Sequence, residues 1–398
     1  MNDRKYVILK RNHQILSLLF HGNRLRFATA EEEEGSVIGN IYVAKVKNIS
    51  ANINAAFVEI APGFPCFLAL SEAKNPILTN RSYDGRILAG DDIVVQINKD
   101  AVKTKQPAAT CALSLSGKYC VVSLGRPGIA YSSKLSMKVR TRISEALKEE
   151  FALLPKGIGT VIRTNAKDLK DYSPLLEEWK ELTAQLKELA EVSVHRTGYS
   201  LLYKKPSDYL IRLRDTYAGQ YEEIVTDDEG IYEEIAEYSR LHPAFCICEA
   251  RLYKDALLPL HKLYSVDARL KEALDKKVWL KSGGYLIIEP TEALTVIDVN
   301  TGKVSTKKDD EETFFRMNME AAEEIALQLT LRNISGIIVI DFINMRKQEH
   351  SDKLMAHFGD LLKRDPVKTN LVDMTVLGLV EVTRMKINRP LKEQISQL

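Results

Sequence analysis

A chain of 398 residues with 45% hydrophobic content is long enough for roughly two to four domains, each with its own core. Its 56 basic and 54 acidic residues leave a formal net charge of +2, which excludes nucleic-acid binding through bulk charge and confines any such contact to local patches. No apolar run reaches the length of a membrane span, Met1-Asn2-Asp3-Arg4-Lys5 does not lead into a signal-peptide core, and five cysteines, an odd number, suit reduced thiols, so a cytoplasmic location is expected.

In chain order, Tyr6 to Thr29 alternates apolar and polar residues around His21-Gly22-Asn23, the pattern of a strand hairpin, and the acidic run Glu31 to Glu34 reads as a solvated connector. Five short strands follow, at Ile41 to Val46, Ala55 to Ile60, Cys66 to Leu70, Asp92 to Ile97 and Ala109 to Leu115, with a longer loop from Asn75 to Gly90. Such spacing fits a small Greek-key barrel of the oligonucleotide-binding kind, or another small β-barrel. The stretches Ile38-Gly39-Asn40-Ile41-Tyr42, Asn54-Ala55-Ala56-Phe57-Val58 and Cys66-Phe67-Leu68 resemble the barrel of ribosomal protein S1, where an aromatic pair stacks bases and a basic residue meets the backbone. Phe57, Phe67 and Lys105 stand at those positions, although two phenylalanines can equally serve a core.

Lys134, Lys138, Arg140 and Arg142 lead into a predicted helix, Val139 to Leu154. A strand from Gly157 to Ile162 ends at Arg163-Thr164, a guanidinium and a hydroxyl that together can hold a terminal phosphate. Ser173 to Val192 is amphipathic, with Ser173 as N-cap and Pro174 in the first turn. Ser200 to Tyr217 has strand character, and Glu223 to Arg240 reads as a loop and a helix. Cys246-Ile247-Cys248 lacks the four ligands of a metal site and fits alternation in a strand. A short helix at Val266 to Asp275 precedes a hairpin signal, Lys281-Ser282-Gly283-Gly284.

The chemistry concentrates between Leu294 and Met345. Leu294 to Asn300 reads as a strand with Val296, Asp298 and Asn300 on one face, and Ile337 to Phe342 as a strand covered on both sides and ending at Asp341. Phe314, Phe315, Met319, Ala322, Ile325 and Leu329 recur at helical spacing between them. A strand, crossover helix, strand unit makes the strands parallel and brings Asp298, Asn300 and Asp341 together, an oxygen-rich set suited to Mg²⁺ or Mn²⁺. Glu349 to Lys363 is a further helix, Leu377 to Met385 has strand character, and the last residues are polar.

Taken together, these stretches resemble the ribonuclease E/G family of bacterial endoribonucleases, above all Ser282-Gly283-Gly284, Thr291 to Asn300, the helix from Asn318 to Leu331, and Gly336 to Met345. The resemblance implies an α/β (α+β) multidomain fold. A ribonuclease-H-like subdomain (1–36 and 206–273) is split by an S1-type oligonucleotide-binding barrel (37–117) and a 5′-sensor region (118–205), and a deoxyribonuclease-I-like catalytic subdomain (274–398) follows. It further implies that Asp298 and Asp341 bind Mg²⁺ and act with Asn300 in catalysis, that Arg163 and Thr164 bind a 5′-monophosphate, and that Phe57, Phe67 and Lys105 hold single-stranded RNA such as mRNA and rRNA precursors. The expected products carry 5′-phosphate and 3′-hydroxyl ends. Lys303, Lys307, Lys308, Arg346 and Lys347 would add attraction for the strand. No cysteine follows Cys248, so the zinc-linked dimer common in the family is not expected, which leaves the homo-oligomeric state open. A non-catalytic RNA-binding protein is the alternative, and DNA hydrolysis a third reading.

Overall fold

The computed structural model describes residues 3–33, 35–100, 106–153, 155, 157–216, 220–242, 248–302 and 311–395. The chain divides into two compact units, one formed by Met1–Glu33, Ala218–Glu237 and Ile247–Leu398, the other by Glu34–Tyr217 and Tyr238–Cys246. Among the described residues no helix is long and apolar enough to cross a membrane.

The first unit contains two sheets. In one, Arg4–Arg11, Gln14–His21 and Arg24–Glu32 form an antiparallel meander, extended by Glu223–Thr226 and Ala250–Leu252 in parallel. The hairpin expected around Gly22 is therefore the second of two. Asn12 and His13, with φ of 48° and 62°, make a first turn of the kind that suits the twist of adjoining strands. Glu31 and Glu32 belong to the third strand rather than to a connector, and Glu32 accepts a hydrogen bond from Gln14 Nε2 at 3.0 Å.

The other sheet of this unit has six strands in the order Lys277–Trp279, Tyr285–Pro290, Leu294–Asn300, Gly336–Asp341, Leu379–Arg384, Thr369–Met374. Leu294–Asn300 and Gly336–Asp341 are parallel neighbours joined by the helix Glu311–Leu331, as the apolar spacing predicted. That helix and Gln348–Leu362 close the core over one face, against Leu286, Ile288, Ile297, Val299, Ile338 and Ile340. The opposite face stays open, with Val296 38% and Ile337 54% exposed, so Gly336–Asp341 is covered on one side only. An unbroken β-branched run says that a strand forms but not how many sides are covered.

The second unit holds a closed barrel of Ile41–Ser50, Ala55–Ala61, Phe64–Ala69, Asp92–Lys99 and Ala108–Thr110, sealed by pairing of the first with the fourth. The final predicted strand divides here. Ala108–Thr110 stays in the barrel, whereas Ser114–Ser116 joins Cys120–Leu124, Ile158–Ile162 and Gly128–Tyr131 in a separate four-stranded sheet. Against that second sheet packs the helix Ser173–Ser193, where Trp179 Nε1 donates to Thr160 Oγ1 at 2.8 Å. Its N-cap is Tyr172 rather than Ser173, because Asp171 Oδ1 takes both the backbone N–H (3.1 Å) and the hydroxyl (3.0 Å) of Ser173. The helix predicted from Val139 breaks at Leu147 into Met137–Ala146 and Lys148–Ala152, with Ser136 capping the first.

The stretch predicted as strand from Ser200 to Tyr217 holds a short strand and then, after a break, a helix. Only Leu201–Tyr203 is extended, and Asp208–Asp215 buries Tyr209, Leu210 and Leu213 at helical spacing with Asp208 in its first turn and Arg212 and Arg214 in its last. A short helix, Leu391–Gln394, seats Leu391 in the core of the meander. Among the described residues Cys66, Cys111 and Cys120 are free thiols. Burial pushes the Cys66 thiol up to about 11 and the Cys111 thiol up to about 12. Cys248 lies just before Ala250–Leu252, and Cys246 lies outside the described residues.

Candidate active site

Asp298 and Asp341 stand opposite each other in the parallel register. Paired residues on neighbouring strands share a face and are about 4.8 Å apart. Both carboxylates therefore emerge together on the open side, Asp341 exposed and Asp298 partly buried. Asn300, two residues beyond Asp298 on the same face, donates from Nδ2 to Asp298 Oδ2 at 2.8 Å. Among the described residues neither aspartate has a cationic partner.

The backbone around this trio is held by groups that the spacing of apolar residues did not single out. Asn318, fully buried in the helix Glu311–Leu331, donates from Nδ2 to Ile343 O at 2.8 Å and accepts from Ile343 N–H at 3.0 Å. This fixes the chain two residues past Asp341. Glu311 accepts the amides of Arg346 and Lys347, which holds the carboxyl of Glu311 below its ordinary range. At the other end, Glu320 accepts the amides of Lys281 and Ser282. The Ser282-Gly283-Gly284 turn then packs on the end of the aspartate strand: a Cβ on Gly284 would come within 2.7 Å of Asn300 O, and one on Gly302 within 2.3 Å of Gly283 O. The glycines are a requirement of that close approach. Asn318 was legible in principle, since it falls on the apolar stripe four residues from both Phe314 and Ala322.

No set of three or more histidine, cysteine or acidic side chains able to hold a metal occurs among the described residues. Magnesium does not need one, because it keeps several waters and is commonly held by one or two carboxylates together with a substrate phosphate. Two paired carboxylates that have no cationic partner among the described residues, beside an amide and open to solvent, fit that ion. Lys303, Lys307 and Lys308 lie outside the described residues.

The remaining predicted residues belong to the second unit. Phe57 and Phe67 face each other across neighbouring barrel strands, with ring centroids 6.1 Å apart and planes at 75°. The residues on either side of each in sequence, Ala56 and Val58, Cys66 and Leu68, are fully buried, so the two phenylalanines point away from the barrel core and are partly exposed. Lys105 lies outside the described residues. Arg163 donates from Nη1 and Nη2 to the two oxygens of Asp215 at 2.8 and 2.6 Å, and from Nη1 to Gly117 O. Thr164 Oγ1 lies 2.9 Å from Ser132 Oγ, and Arg140 donates to Ser132 O at 3.0 Å. Arg142 donates to the Tyr172 hydroxyl at 2.6 Å, so two members of the basic cluster are engaged within the fold.

Paired strand-end carboxylates thus lie in one unit, and a closed barrel with an outward aromatic pair in the other. The model of the Ribonuclease E/G family matches residues 114–387. Ribonuclease E of Synechocystis sp. is 31% identical over 407 aligned positions, covering 99% of this chain and 58% of its own length. Ribonuclease G of Haemophilus influenzae is 32% identical over 89% of this chain and 74% of its own, and Ribonuclease G of Escherichia coli K12 is 30% identical with the same coverage. The chain belongs to the Ribonuclease E/G family. It spans a little over half the length of the ribonuclease E relative and about three quarters of the ribonuclease G relatives.

Proposed function

We propose that the protein is an endoribonuclease that cleaves single-stranded RNA at Asp298, Asn300 and Asp341, with Mg²⁺ as cofactor. The observation that carries this reading is the in-register pair Asp298 and Asp341, open to solvent, with Asn300 bonded to Asp298, in a chain of this family. In the proposed subdomain scheme, the meander with its two parallel strands corresponds to the ribonuclease-H-like part and the six-stranded sheet to the deoxyribonuclease-I-like part.

When bound, Mg²⁺ supplies Lewis-acid polarisation of the scissile phosphate and a water acidified enough to attack it. The carboxylates of Asp298 and Asp341 hold the ion. One Asn300 N–H is spent on Asp298, which turns the amide and leaves its carbonyl oxygen and second N–H to orient the phosphate or the attacking water. Cleavage on this path leaves 5′-phosphate and 3′-hydroxyl ends. On the barrel, Phe57 and Phe67 stack splayed bases with Lys105 at the backbone, so an unpaired strand is required. Arg163 and Thr164 receive a 5′-monophosphate, which favours substrates already trimmed from triphosphate. Messenger RNA and rRNA precursors are the proposed substrates and the cytoplasm the proposed location.

The test compares matched single-stranded RNA and DNA oligonucleotides, 5′-monophosphorylated, incubated with the protein in Mg²⁺ or in chelator, with the product ends identified. Internal RNA cleavage that requires the ion and leaves 5′-phosphate ends supports the proposal. Binding without cleavage would establish the non-catalytic alternative.

A further inference from the structure

The open face that carries the aspartates also carries an aromatic pair and a lysine with no part in the mechanism above. In one row across the strands, Trp279 pairs with Tyr285 and Tyr285 with Asn300; in the next, Lys277 pairs with Ile287 and Ile287 with Asp298. Paired residues share a face, so Trp279 lies two strands, about 10 Å, from Asn300 on the same side of the sheet.

Trp279 is 64% exposed. The other tryptophan of the chain, Trp179, is 6% exposed with its indole N–H bonded to Thr160. The Trp279 and Tyr285 rings have centroids 5.4 Å apart and planes at 63°. Lys277 Nζ sits 3.8 Å from the Trp279 ring centre and 3.7 Å from that of Tyr285, and among the described residues it makes no ion pair. Its hydrocarbon stem and ammonium therefore brace the two rings while one cation stays without a carboxylate.

We propose that Trp279, braced by Tyr285 and Lys277, is a base-stacking subsite for a nucleotide neighbouring the scissile phosphate, with the Lys277 ammonium drawing in an adjoining phosphate. This rests on the nuclease reading above and adds to it a second aromatic contact, on the catalytic sheet itself rather than on the barrel. The occupant follows from chemistry: a flat exposed ring system takes the face of any base, and an unpaired ammonium beside it selects a polyanion. Continuity with Asn300 and Asp298 makes that polyanion the same strand whose phosphate the aspartates engage.

The experiment has two readouts. In chelator, an unstructured single-stranded RNA oligonucleotide should quench the indole emission that Trp279→Phe removes, and an abasic residue at one position should abolish the quenching. In Mg²⁺, Trp279→Ala should lower kcat/KM about 10- to 100-fold while Trp279→Phe retains most of it, as loss of one stacked base predicts. The abasic substitution should cost the parent protein a similar factor and cost Trp279→Ala nothing further. Cleavage with neither quenching nor an effect of Trp279→Ala overturns the subsite and leaves the nuclease reading standing. Quenching without any cleavage sinks the nuclease reading and retains the stacking site. If Trp279→Ala changes only the sedimentation of the protein, the face joins copies of the chain and the proposal fails.

Discussion

Asn318 grips Ile343 by both of its backbone polar groups, N–H and C=O, from inside the crossover helix. The helix that makes the two aspartate strands parallel thus also fixes the loop leaving Asp341. Asn318→Leu should leave both groups of Ile343 without their partner, at about 2 to 4 kcal/mol by the cost of unmet buried hydrogen bonds. Urea unfolding measures the stability loss. Cleavage by the protein still folded should also fall, because Asp341 would lose its fixed exit. A variant with unchanged stability would show that the amide is dispensable.

Asp215 takes the end-on fork of Arg163, Nη1 with Nη2, and Gly117 O takes a further Nη1 hydrogen. Of the five guanidinium N–H groups, that leaves Nε–H and one on Nη2, a side-on fork with the spacing of two phosphate oxygens. Asp215 thus serves as a positioning residue for the proposed 5′-phosphate pocket. Asp215→Ala should reduce the preference for 5′-monophosphorylated over 5′-hydroxyl substrates and leave cleavage of the 5′-hydroxyl substrate unchanged. Stability should also fall, by about 1 to 3 kcal/mol, because Asp215 Oδ1 accepts from Nε of the buried Arg214 at 2.9 Å as well, so the comparison of substrates is made on the folded variant. Equal losses on both substrates would assign Asp215 to the fold alone.

Glu311 is held below its usual carboxyl range of 4.5, first by the Lys347 and Arg346 amides and then by His350. A carboxyl depressed in the folded state contributes stability that is present above its unfolded pKa and is lost as pH falls through the folded one. Hydrogen-exchange protection at Arg346 and Lys347 should therefore be full near neutrality and decline only below 4.5. Glu311→Gln should reduce it already at neutral pH and flatten the acid dependence. Protection in the parent protein that ignores pH would rule out Glu311 as the anchor.

The meeting of Asp298 and Asp341 was legible because a single fact, two strands joined by one helix, dictates their parallel register. The exposure of that face was not, since Ile337 and Val339 read identically whether a second layer covers them or not. Arg212 and Arg214 show the same limit from another side: Tyr209, Leu210 and Leu213 fit a strand or a short helix, and tertiary packing decides. The Arg163 and Asp215 pair joins residues far apart in sequence, and no local pattern announces it. Trp279 went unremarked because one aromatic beside a hairpin carries no signal until the register sets it in line with Asn300.

The most direct test of the account is the Mg²⁺-dependent cleavage of a 5′-monophosphorylated single-stranded RNA by Asp298→Asn and by Asp341→Asn, with RNA binding measured alongside. Each variant is expected to lose about 100-fold or more in kcat, as removal of a charge-stabilising group does, while keeping its affinity for RNA. Cleavage at the parental rate by either variant would contradict it.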